Sequence, residues 1–338
     1  MKKKYISIFT LFLMIFGIFY AFTGCGKDKS IARINNKELT IEDFRYDIYL
    51  AQIEGDTWNS NYKEILGIDY WDYEVEGSSM KQLTKDTVMT RVILYEVLSS
   101  EAKKHGYSLS EQELRTNEAD ADNFIQSVSQ EQLKESGINR DILIKAFNKL
   151  TLGDKYYQAV ISDYEVDEEA IKGNIDPDEY IEYITECLYV PTATVSYQQI
   201  TPLSDDELEK AYHTILDVEK LIADGAGFDE VLAQVEGVIH YNRSFILSDN
   251  TAEEEYKEAS IALENNSYSG VITTQFGHYI IHMLDNSSTE RYEQAVENAI
   301  HEEKTSQFKA AYDELLKEYD ITIDTDYWNS IEIGPVSK

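Results

Sequence analysis

The stretch Ser267-Tyr-Ser-Gly-Val-Ile-Thr-Thr-Gln-Phe-Gly-His-Tyr-Ile-Ile-His-Met-Leu284 reads as two short strands joined through Gln275-Phe276-Gly277. Apolar and β-branched residues dominate it, and Asn265-Asn266 supplies a turn just ahead. Alternation puts Tyr279, Ile281 and Met283 on one face of the second strand. His278, Ile280, His282 and Leu284 fall on the other. A strand pair of this size is not stable alone, so the preceding segment must fold onto it.

Working backwards, residues 194–200 are a strand candidate. Ser204-Asp-Asp-Glu207 has the form of a capping box, opening a helix with Leu208, Ala211, Ile215, Val218 and Ile222 on one face. Gly225 and Gly227 stop that helix, residues 228–235 make a second short one, and residues 238–247 return as strand or loop. Thr251-Ala-Glu-Glu254 is expected to cap a third. The order strand, helices, strands predicts an antiparallel sheet with helices on its faces. Pro177, Pro191 and Pro202 are three of the four prolines, and they place the domain border near Pro191. Cys187 then falls in an acidic segment expected to be helical.

Upstream of that border the patterns are helical. Residues 31–40 read as a hairpin turning at Asn35-Asn36. Thr40 follows as a helix cap, with Asp43 in the place of the box acid. Residues 57–75 hold Trp58, Tyr62, Tyr70, Trp71 and Tyr73 with little periodicity. They are expected to be a loop packed by its own aromatics, with a client-facing aromatic surface as the sharper alternative. Residues 79–105 form a long helix closed by Gly106, Ser110-Glu-Gln-Glu113 boxes the next, and residues 140–161 are helical again. Downstream of the strand pair, residues 289–319 are helical with a stripe of Phe308, Tyr312, Leu315 and Tyr319.

Composition bounds the function. The chain has 338 residues, enough for two domains, and a formal net charge of −33. Lys2, Lys3 and Lys4 precede an apolar run from Tyr5 to Phe22 and then Thr23-Gly24-Cys25, the layout of a secretory signal. An uncleaved membrane helix is the other reading, since the run nears the ~18 residues of a membrane span. Removal of the signal leaves 63 acids against 27 bases, −36. Such a surface repels nucleic acid and anionic lipid headgroups. With only Cys25 and Cys187, no disulfide framework exists. His278 and His282 lie four places apart on a strand, about 13 Å, too far to share one ion. The chain has no HExxH, no phosphate-binding glycine loop and no Ser/His/Asp arrangement; no metal or cofactor is expected.

The 267–284 stretch resembles the last strand pair of parvulin-type peptidyl-prolyl isomerases, roughly Gly-x-x-Ser-x-x-x-x-Thr-x-Phe-Gly-Tyr-His-Ile-Ile. Ser269, Thr274, Phe276, Gly277, Ile280 and Ile281 fit, and the family histidine falls on Tyr279. The other family histidine, in a His-Ile-Leu strand, is expected at Gln199 of Val195-Ser-Tyr-Gln-Gln-Ile200. Residues 34–44 and 99–114 resemble the SurA/PrsA chaperone module, and the cysteine after Thr-Gly resembles a bacterial lipobox. The resemblance implies an α+β protein: a mostly helical SurA/PrsA-type chaperone domain with an inserted parvulin-like domain. It implies a signal over 1–24 and a helical chaperone domain over 25–190. The parvulin-like domain then covers 191–286, and residues 287–338 return to the chaperone domain.

Implied roles are Gln199, Tyr279 and Thr274 in a degenerate catalytic pocket, Phe276, Ile281 and Met283 for substrate binding, and Cys25 for lipidation. The chain would sit on the outer face of a bacterial, Gram-positive cell membrane through a lipid anchor, acting on unfolded or newly exported proteins. Isomerase, non-catalytic holdase, and envelope scaffold or adhesin remain open, as does a homodimer.

Overall fold

The structure is a computed structural model that describes residues 29–196 and 199–335. The signal segment and Cys25 lie outside the described residues. The fold is α+β and divides into two compact units. One comprises residues 29–164 and 306–335, the other residues 165–305.

The first unit opens with the hairpin β1 (Ala32–Ile34) and β2 (Lys37–Leu39), turning through Asn35 at φ 53°. Thr40 and Asp43 form the expected capping box of α1 (Ile41–Leu66), which ends at Gly67 in the left-handed conformation. Trp58 and Tyr62 are therefore helical, a correction to the aromatic-loop reading. The aromatics cluster because the Tyr62 ring, near the end of α1, meets the Tyr70 ring edge-on at 5.5 Å. Tyr70, Trp71 and Asp72 form a 3-10 turn, and the small hairpin β3 (Glu74–Val75) and β4 (Ser78–Ser79) comes after it. Next come α2 (Met80–Lys104), α3 (Glu111–Ser127), α4 (Gln130–Ser136) and α5 (Arg140–Asp163). α2 is the interior helix, with Val88, Val92, Val97, Leu98 and Ala102 almost fully buried. Its Glu96 lies between Lys37 at 2.5 Å and Lys149 at 3.1 Å, and these ammoniums draw its pKa down against the burial that would raise it.

The second unit starts with α6 (Glu168–Gly173) and runs into β5 (Glu182–Pro191), the strand pair β6 (Ala193–Ser196) and β7 (Gln199–Pro202), α7 (Asp205–Ala223) and α8 (Phe228–Gln234). It continues through β8 (Ile239–Phe245), α9 (Glu254–Ile261), β9 (Ile272–Thr273) and β10 (Gly277–Ser288). Four strands form an antiparallel sheet in the order β8-β5-β10-β9.

Three expectations are corrected here. The strand central to the sheet is β5, not residues 194–200, and Cys187 lies in it rather than in a helix. Cys187 and Leu188, adjacent in sequence, are both fully buried because helices cover both faces of the sheet. Residues 193–196 and 199–202 pair as a separate two-stranded sheet. The cap of α9 is Glu253; Thr251 instead donates to Asp249 at 2.7 Å.

Opposite faces of the sheet have distinct cores, as alternation requires. Leu188, Val190 and Ile280 pack with Ala211, Ile215 and Val218 of α7 and with Phe228 and Val231 of α8. Cys187, Phe245, Tyr279 and Ile281 pack with Ala252 and Tyr256. Fully burying one such aliphatic side chain contributes about 1.5–3 kcal/mol. The chain leaves through α10 (Glu290–Leu316), β11 (Ile321–Ile323) and α11 (Thr325–Ser330). β11 completes the sheet β11-β1-β2 of the first unit, and Trp328 packs on Phe44 with ring centroids 5.2 Å apart.

Candidate functional site

The face of the sheet that carries Tyr279 is built from facing strand positions. Tyr279 stands opposite Tyr189, Ile281 opposite Cys187, and Cys187 opposite Tyr241 on its other side. The rings of Tyr189 and Tyr279 stack at 4.7 Å, and Tyr256 from α9 meets Tyr279 edge-on at 5.4 Å. Gly277 opens the strand because a side chain there would run into the Val190 carbonyl and the Tyr189 ring.

Several hydrogen bonds lie on this face. The side chains of Tyr241 and Thr274 approach the Tyr279 hydroxyl. Tyr279 donates to Glu253 at 3.3 Å, and Arg243 closes on the same carboxylate at 2.6 Å. Tyr189 donates to the Phe276 carbonyl at 2.8 Å, and Tyr256 shares a 2.8 Å bond with Thr185. Burial is the main cause that pushes the Tyr279 phenol up to about 12, and it carries Tyr241 and Tyr256 higher still. Burial likewise raises the Cys187 thiol, whose sulfur lies 3.7 Å from the Tyr241 carbonyl. The phenols are therefore neutral at physiological pH, and the thiol is not poised as a nucleophile.

The structure brings Tyr279 and Thr274 together but does not bring Gln199 to them. Gln199 is exposed and pairs with Ser196 where β6 and β7 run side by side, apart from the sheet that carries Tyr279. The expectation took residues 194–200 as the strand beside Tyr279, and β5 pairs there instead. Residues 185–190, Thr-Glu-Cys-Leu-Tyr-Val, occupy the central position, and Cys187 and Tyr189 face Tyr279's side. Phe276 is half-buried at the turn, while Ile281 and Met283, expected at the substrate, are fully enclosed. Sequence reasoning missed Tyr189, Tyr241, Arg243 and Glu253. The period-2 series Tyr183, Thr185, Cys187, Tyr189 was the available signal.

The strand histidines all lie on the opposite face. His278 accepts or donates at Thr273 Oγ1, 2.9 Å away, meets Tyr212 edge-on, and burial lowers its pKa. His282 and His240 share one carboxylate, Glu186, at 2.7 and 2.9 Å. The two imidazoles in turn hold Glu186 below the usual carboxylate range despite its partial burial.

No family model matches the chain, and no curated protein matches it. Solved structures do. The PrsA foldase of Lactococcus lactis is 14% identical, over 89% of this chain and 97% of that one, with a TM-score of 0.35. A SurA-like chaperone of Campylobacter jejuni, from the pair PEB4 and Cj1289, is 14% identical over 87% and 98%, with a TM-score of 0.33. The PrsA foldase of Streptococcus pneumoniae is 18% identical over 69% and 86%, with a TM-score of 0.31.

Proposed function

We propose that the chain is an extracytoplasmic chaperone of the PrsA/SurA type, tethered through Cys25, whose parvulin-like unit holds clients without isomerising them. The tether rests on the sequence alone, since Cys25 lies outside the described residues. Among those residues no helix is long and apolar enough to cross a membrane. The chaperone module corresponds in this reading to the first unit, and the parvulin-like module to the second.

One observation carries the non-catalytic part. Prolyl isomerisation has a barrier of roughly 18–20 kcal/mol and needs a group that stabilises the twisted amide as conjugation is lost. On the Tyr279 face, the hydroxyls of Tyr189, Tyr256 and Tyr279 are engaged within the fold. The imidazoles of β8 and β10 lie on the other face, away from these hydroxyls.

A protease-coupled prolyl-peptide assay, run beside aggregation of a chemically unfolded client, tests the reading. The expected result is no acceleration of isomerisation with aggregation suppressed near stoichiometric ratio. Acceleration that disappears in Tyr279→Ala would establish the isomerase instead. Failure to suppress aggregation would favour an envelope scaffold.

A further inference from the structure

Trp58, Tyr62, Ile65, Leu66, Tyr73 and Val75 gather on one surface of the first unit. Trp58, Tyr62 and Ile65 succeed one another at helical spacing on α1, and Leu66 lies one turn beyond Tyr62. Ring contacts join Trp58 to Tyr62 at 6.4 Å and Tyr62 to Tyr73 at 5.9 Å, which carries the patch onto the β3–β4 hairpin. Exposure is high for such residues: Ile65 66%, Leu66 58%, Trp58 47%. A contiguous apolar surface of this kind marks an interaction site more often than chance.

The unpaired charge around it is acidic. Glu54, Glu74 and Glu76 are exposed, and the charge of Glu54 reaches the cluster closely enough to help raise the Tyr70 phenol. The neighbouring ammoniums are already held by carboxylates, Lys63 on Asp69 and Lys81 on Asp72, each at 2.9 Å. An apolar centre with an acidic rim selects an apolar partner that carries positive charge. A second copy of the chain would bring the same acidic rim against itself.

We propose that this patch is a docking site for extended client segments in which apolar and aromatic residues are interspersed with lysine or arginine. The proposal rests on the chaperone reading and names its client chemistry.

The test uses the full chain and a fluorescent peptide with leucine and phenylalanine spaced by lysine and proline. A second peptide has every lysine replaced by glutamate. The expected result is that the cationic peptide binds at least about fivefold tighter, the scale of a few exposed charge pairs. Its affinity falls as salt rises, Glu54→Lys/Glu74→Lys erases the preference, and Trp58→Ser/Ile65→Ser weakens both peptides. Circular dichroism checks that each variant remains folded.

Equal binding of the two peptides, or unchanged binding in Trp58→Ser/Ile65→Ser, would overturn the proposal. If aggregation suppression persists in that case, the chaperone reading stands. If the wild-type chain suppresses no aggregation, that reading fails as well. A dimer in sedimentation that Trp58→Ser/Ile65→Ser dissolves would assign the patch to a second copy and also overturn it.

Discussion

Tyr279 is 2% exposed, and its hydroxyl donates to the Glu253 carboxylate. Tyr279→Phe keeps the stacked ring but removes the hydrogen bond to the Glu253 carboxylate. A hydrogen bond to a charged group contributes about 1.5–3 kcal/mol, so urea unfolding should show a loss of that order. Aggregation suppression should be unchanged, because the hydroxyl serves the fold and not the client. Gly277 makes a different demand at the same strand. Gly277→Ala meets a backbone carbonyl, which cannot move without parting β10 from β5. About 1–3 kcal/mol, the usual cost of overpacking, is a lower expectation for it, readable in the same titration. At this scale the facing of Tyr279, Ile281 and Met283 was legible, because strand parity needs no partner. The network partners were not, because Glu253, Arg243 and Tyr241 reach Tyr279 only through folding. Gln199 shows the reverse: its placement depended on which strand pairs with β10, and nothing local states that.

Whole elements were legible where the signal is local. The capping boxes at Thr40, Ser110 and Ser204 form as their spacing predicts, since a side chain reaches a backbone group three residues away regardless of the rest. β5 was not legible, because Glu182 and Glu186 interrupt its apolar run. Each acid has a tertiary partner: Arg291 for Glu182 at 3.0 Å, and two histidines for Glu186. The box of α3 gives a pH prediction. The Ser110 backbone and hydroxyl, with Lys155, pull Glu113 from 4.5 to about 2. A carboxylate lowered on folding stabilises fully above its unfolded pKa and loses that contribution as pH falls through its folded one. The box should therefore weaken between pH 4.5 and about 2. Carboxyl NMR of Glu113 should show a midpoint near the lower value, moving upward in Ser110→Ala. That substitution should also cost about 0.5–2 kcal/mol at neutral pH through the lost cap.

Charge acts on the molecule as a whole, and its two consequences have opposite dependence on salt. The chain carries 63 acids against 30 bases, so it has more carboxylates than its lysines and arginines can neutralise. Exposed ion pairs such as Arg140–Asp122 are worth little, and salt weakens them. The excess carboxylates repel one another in the folded chain more than in the expanded one, and salt relieves that repulsion. Between 0.01 M and 0.1 M the screening length falls from about 30 Å to about 10 Å, comparable to a unit's own dimensions. With this imbalance, relief outweighs the weakened pairs, and the protein should gain stability as salt is added. A gain of about 1–2 kcal/mol corresponds to a rise in melting temperature of roughly 2–6 °C for a chain in this size range. Calorimetry in sodium chloride at fixed pH checks it, and a flat or falling melting temperature would mean that the ion pairs dominate. Binding of the cationic peptide should weaken over the same range, because there the acidic rim attracts. A single salt series that raises the melting temperature while lowering peptide affinity would tie both effects to the same surplus of carboxylates.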